Sequence, residues 1–188
     1  APTAPASGEV IRQLSFVESE AGPSKPPSPS KPPSASIAEL PKNWTHDDDG
    51  SLPLLVRLTE GPEKAAVVSH FLETASHCQV LDVDRIQNAM LYSCHAAYSY
   101  HVGNEAKGYH ATKPCFLSDI YKFGFNRDYS QHGMNGALIG AGNNFARHAS
   151  YSSSMKYAVP SNYKKGENGL PKQYMFLVNI ARGKQGGK

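Results

Sequence analysis

Residues 104–112 read NEAKGYHAT. They place one histidine, His110, between an aromatic and two small residues, in a stretch whose Tyr and Thr favour a strand. Just upstream, Asn88 stands where a helix N-cap belongs. It precedes AMLYSCHAAYSYH, in which Leu91, Cys94, Ala97, Tyr98 and His101 recur at helical spacing. That spacing predicts a helix packed through the face that carries Cys94 and His101. Taken alone, His110 reads as a satisfied core histidine, so its meaning depends on its neighbours.

Further upstream, LPLLVRLT (52–59) is apolar and strand-like. EGPEKAAVVSHFLETAS (60–76) opens on Gly-Pro with an early Glu and puts Val67, Val68, Phe71, Leu72 and Ala75 on one face, predicting an amphipathic helix. QVLDVDRI (79–86) alternates like a strand. Downstream of His110 a short helical piece ends at Gly124, and a long Gly-, Asn- and Ser-rich section follows. Irregular loops of that length inside a domain are usually functional or disordered. The run QYMFLVNIA (173–181) reads as a buried strand. Elements in this order predict an α+β domain over residues 39–188.

Residues 1–38 differ in composition. Pro and Ser crowd the stretch 21–36, AGPSKPPSPSKPPSAS, which has too few large apolar residues to offset its ordering entropy. Residues 1–38 therefore read as a disordered linker. A net charge of +3 across 188 residues, with scattered lysines, does not point to nucleic acid or to a membrane surface. No apolar run is long enough to span a bilayer. Three cysteines at irregular spacing, Cys78, Cys94 and Cys115, fit free thiols in a reducing, intracellular compartment, nucleus or cytoplasm.

Several chemistries find no support. Cys78, Cys94, His95, His101 and His110 include no paired zinc-ligand spacing, so no metal site is expected. Nothing singles out one cysteine as a nucleophile. GALIGAG (136–142) is not followed by a helix pattern, so it fails as a dinucleotide fingerprint.

Four segments remain in one order: NEAKGYHAT, GFNR (124–127), GAGNNFA (140–146) and ASYSSSMKY (149–157). In register they resemble the catalytic domain of the poly(ADP-ribose) polymerase family, in its mono-ADP-ribosylating branch. There the corresponding motifs run N-E-x-x-L-F-H-G-T, G-F-N-R, G-K-G-V-Y-F-A and A-S-Y-S ending in a further Tyr. The resemblance covers about residues 40–188. It implies an ADP-ribosyltransferase-like split antiparallel sheet, here lacking its last strands. It also implies an enzyme that takes NAD as substrate, releases nicotinamide, and transfers ADP-ribose to side chains of an acceptor protein.

By position, the resemblance implies that His110 is catalytic and holds the nicotinamide ribose 2′-OH. Ala111 stands at the glycine whose N–H and C=O grip the nicotinamide amide. Ser152 adds a hydroxyl to that amide, and Tyr157 stacks under the ring. Residues from about 128 to 139 would cover the adenosine end. Two departures touch the site. Asn144 replaces the motif tyrosine and cannot stack, which implies weaker NAD binding. Ala111 replaces the glycine and adds a methyl, a strain if that position needs φ > 0 or close approach. The family's third signature residue falls beyond Lys188. These departures also admit a catalytically inactive relative that serves as a binding or scaffold module.

Overall fold

The computed structural model describes residues 9–16, 39–126, 142–154, 157 and 172–183. Among the described residues five strands form one mixed sheet: β1 (Glu9–Phe16), β2 (Leu55–Arg57), β3 (Cys78–Ile86), β4 (Glu105–Thr112) and β5 (Lys172–Ala181). Their order across the sheet is β2-β3-β1-β5-β4. Antiparallel pairing occurs twice, in β2–β3 and β4–β5, and β1 joins the two pairs by running parallel to both β3 and β5. With helices α1 (Pro62–Leu72), α2 (Ala89–Val102), α3 (Leu117–Phe123) and α4 (Ala149–Ser152), the domain is α+β, as expected.

Residues 9–16 correct one expectation. They do not belong to a linker but form the middle strand of the sheet. Val10, Ile11 and Phe16 favour extended backbone, and the Pro- and Ser-rich surroundings hide them in a window average. The dense stretch 21–36 lies outside the described residues.

Helix α1 forms as its spacing predicts. Gly61 takes a positive φ of 115° at the N-cap and Pro62 opens the first turn. Val67, Phe71 and Ala75 are buried, with Val68 and Leu72 packed beside them on one face of the sheet. β5 is buried on both faces, and alternation splits its run. Met175 and Leu177 join Phe71, Val83 and Tyr109, whereas Phe176 and Val178 join Ile86 on the other face.

Helix α2 begins where expected but buries a different side. Asn88 Oδ1 accepts from Leu91 N at 3.0 Å, capping the helix. Its Nδ2 donates to the carbonyls of Tyr121 and Lys122, closing the end of α3. None of the α2 residues is fully buried. Cys94 and His101, expected on a packed face, are exposed, as are Ala97 and Tyr98. Contact instead runs through Leu91, which meets Gly124, and Tyr92, whose ring lies 5.5 Å from Trp44. The helix has two weakly apolar sides, and periodicity does not rank them.

Candidate functional site

β4 lies at the edge of the sheet. Its alternation sends Tyr109 and Ala111 to the α1 face and His110 to the opposite one. There the His110 ring meets Phe125 edge-on at 4.9 Å and Phe145 at 5.7 Å. Phe125 also contacts Phe145 at 4.9 Å and Phe176 at 5.6 Å. Such pairs are each worth about 0.5–1.5 kcal/mol beyond area burial. Asn143 Nδ2 donates to the Phe125 carbonyl at 3.1 Å, tying GFNR to the GAGNNFA segment. The aromatic cage was not singled out from sequence, although Phe125 and Phe145 stand inside two of the motifs.

His110 Nδ1 lies 3.0 Å from the main-chain oxygen of Asn144. A carbonyl only accepts, so the ring proton sits on Nδ1 and neutral His110 presents Nε2 as a lone pair. Burial pushes the imidazole pKa below its ordinary value, and the Asn144 contact opposes that only in part. The ring is therefore neutral at pH 7, poised to accept a hydrogen bond from a hydroxyl.

The backbone beside it is equally specific. Tyr109 N donates to Ala146 O and Ala146 N donates to Tyr109 O, both at 2.8 Å, on the outer edge of β4. In an antiparallel ladder alternate residues turn their polar groups to the same side. Ala111, two residues on, thus aims its N–H and C=O outward past the Ala146 bridge. Among the described residues no main-chain group pairs with Ala111 at that edge. Ser152 Oγ donates to Tyr109 O at 3.2 Å, which brings a buried hydroxyl to the same edge and leaves its lone pairs to accept. One main-chain donor, one acceptor and a hydroxyl together match a primary carboxamide.

Ala111 itself is unstrained. Asn104 is the one non-glycine residue with positive φ among those described, so β4 does not demand glycine here. The Ala111 methyl packs against the core.

The segment carrying Ser152 is anchored by the turn that follows α1. Thr74 Oγ1 accepts from Ala149 N at 2.9 Å, supplying an acceptor at the start of α4. Five residues past Ser152, Tyr157 stacks on Tyr151 at 4.8 Å, and its hydroxyl donates to the Tyr151 hydroxyl at 2.8 Å. Asn144 turns its side chain to solvent and engages His110 only through its backbone. His110, Asn144, Ala111 and Ser152 thus meet along β4, while Tyr157 contacts Tyr151 and donates its backbone N–H to Ser154 O at 2.9 Å. The expected adenosine cover at 128–139 lies outside the described residues.

A family profile described as the poly(ADP-ribose) polymerase catalytic domain matches residues 63–186. The sequence is also 27% identical, over 155 residues and 79% of this chain, to human protein mono-ADP-ribosyltransferase PARP14. The chain spans only 8% of that relative's length.

Proposed function

The chain belongs to the poly(ADP-ribose) polymerase catalytic-domain family, and on that premise we propose that it binds NAD and transfers one ADP-ribose unit to a protein side chain. The observation that carries this reading is the open edge of β4. The Ala111 N–H and C=O and the Ser152 hydroxyl are disposed there to take the nicotinamide carboxamide, one residue from the acceptor nitrogen of His110.

In this reaction His110 Nε2 accepts from the nicotinamide ribose 2′-OH and fixes the sugar. Tyr157 stacks on the pyridinium ring, an attraction between a flat cation and a phenol. Holding both ends of the nicotinamide riboside lowers the entropic part of the barrier. The C1′–N bond breaks, nicotinamide leaves as a neutral molecule, and positive charge builds on the ribose. An acceptor Glu, Asp, Ser, Arg or Cys side chain bonds to C1′, and any proton it carried passes to solvent. The free thiols Cys78, Cys94 and Cys115 support a reducing, intracellular setting, nuclear or cytoplasmic.

A second reading rests on Asn144. A solvent-facing amide in place of an aromatic wall favours a domain that keeps the fold as a binding or scaffold module. Calorimetric titration of the chain with NAD separates the two. Saturable binding that disappears in His110→Ala supports the transferase, whereas no heat up to about 5 mM NAD, corresponding to less than roughly 3 kcal/mol of affinity, leaves the module.

A further inference from the structure

Helix α2 exposes a side that intramolecular packing does not account for. Its 14 residues, AMLYSCHAAYSYHV, include no Lys, Arg, Asp or Glu, although none of them is fully buried. Exposed helix surface ordinarily carries charge. Helices α1 and α3 follow that rule, with Glu63 and Lys64 in one and Asp119 and Lys122 in the other.

The packed side of α2 has its partners. Leu91 meets Gly124, Tyr92 meets Trp44, and His95 Nε2 lies 3.0 Å from Glu105 Oε1. The opposite side holds Met90, Cys94, Ala97 and His101, all exposed. At about 100° per residue these four fall within about 60° of arc. Tyr98 and Tyr100 flank the stripe, 61% and 56% exposed, and Met90 is 58% exposed. Single exposed apolar residues are ordinary, but a contiguous patch marks an interaction site. Met and aromatic residues without charge are the composition of an interface centre.

The spacing of the stripe indicates what covers it. Positions 90, 94, 97 and 101 follow the alternating four- and three-residue steps of a coiled-coil seam. The pattern is also the same read in either direction, symmetric about the midpoint between residues 95 and 96. A dyad there sets Met90 of one copy against His101 of the other, and Cys94 against Ala97. The surface is thus complementary to itself, as an isologous interface requires. Two small residues at the dyad let the helix axes approach to about 8 Å. Antiparallel alignment also opposes the two helix dipoles, whereas parallel alignment would set like ends together and face His101 with His101.

The available area sets the strength. Each flanking tyrosine offers about 100 Å². With the stripe, roughly 500 Å² per copy gives a pair near 1,000 Å², the lower bound for a specific interface. That size fits a weak, concentration-dependent dimer.

We propose that α2 is a self-association surface, through which two copies of this chain pair antiparallel about the Cys94–Ala97 contact. Sedimentation equilibrium of the whole chain under reducing conditions tests it. The mass should rise from monomer at about 1 μM toward dimer at about 1 mM. Ala97→Lys keeps a good helix former at an exposed position, so the melt of the dilute monomer should not change. It puts an ammonium at the dyad and should weaken association at least about tenfold. Orientation is read by cross-linking in a Cys94→Ala/Cys115→Ala background, which leaves only the buried Cys78. Chains carrying Met90→Cys and chains carrying His101→Cys should form a disulfide-linked dimer when mixed, and none when oxidised separately. A monomer mass up to about 1 mM, an undiminished dimer in Ala97→Lys, no cross-link on mixing, or cross-linking in the separate samples would each overturn the proposal.

Discussion

The contact between His110 Nδ1 and the Asn144 carbonyl oxygen, at 3.0 Å, decides which imidazole nitrogen is free. Asn144 departs from its motif at the side chain, yet its contribution here is through the main chain, which every residue supplies. The ring therefore keeps one tautomer despite the substitution, and Nε2 remains an acceptor.

A pH dependence follows. The folded His110 pKa lies below its ordinary value of 6.5 because burial disfavours the imidazolium. Stability from the neutral ring is complete above pH 6.5 and is lost as pH falls through the lowered folded pKa, where the unfolded chain binds the extra proton. NAD affinity should be flat from pH 8 down to about 6.5 and fall below that, as Nε2 gains a proton. In His110→Gln the fall should vanish. A pH series of NAD titrations checks this, and an unchanged slope in the variant would show that another group titrates.

Asn144→Tyr should raise affinity for NAD up to about tenfold, since one added aromatic stack is worth about 0.5–1.5 kcal/mol. The side chain is exposed and its backbone contact with His110 does not depend on it, so the thermal midpoint should stay the same. Calorimetry alongside a melt separates the two effects.

Ser152→Ala removes the hydrogen bond to Tyr109 O, but that carbonyl keeps its bond from Ala146 N. The expected cost in stability is therefore about 1 kcal/mol, with a larger proportional loss in NAD binding. Chemical denaturation and titration of the same sample measure both. A stability loss without a change in affinity would remove Ser152 from the site.

Gly108→Ala tests the packing behind the site. A Cβ there would overlap Ile180 Cδ1 and lie 3.0 Å from Phe145 Cβ. Overpacking of this kind costs about 1–3 kcal/mol. Adding Ile180→Val deletes the overlapping methyl and should restore part of the loss. A double-mutant cycle in denaturant gives the coupling, and strict additivity would refute the contact.

Much of the local structure is legible in single residues. Pro62 and Gly61 mark the start of α1, Asn88 marks α2, and Gly124, at a φ of 80°, ends α3. The parity of Tyr109, His110 and Ala111 follows from strand alternation alone. The cage of Phe125, Phe145 and Phe176 was not legible, because its members come from three segments up to 51 residues apart in number, from 125 to 176. Nor was the packing of α2, whose two weakly apolar sides differ only in what the rest of the fold lays against them.

What the amino-acid order determined by itself is whatever depends on neighbours within a turn or a strand repeat: helix ends, strand faces, and the four motifs in register. Tertiary structure alone decided that Glu9–Phe16 joins the two antiparallel pairs. It also decided that the Ala146 bridge turns the Ala111 main chain outward, and that the Phe125 and Phe145 rings close on His110. Hydrogen-bond direction at a sheet edge and the burial of a polar atom are properties of pairs of distant segments. No single segment carries them.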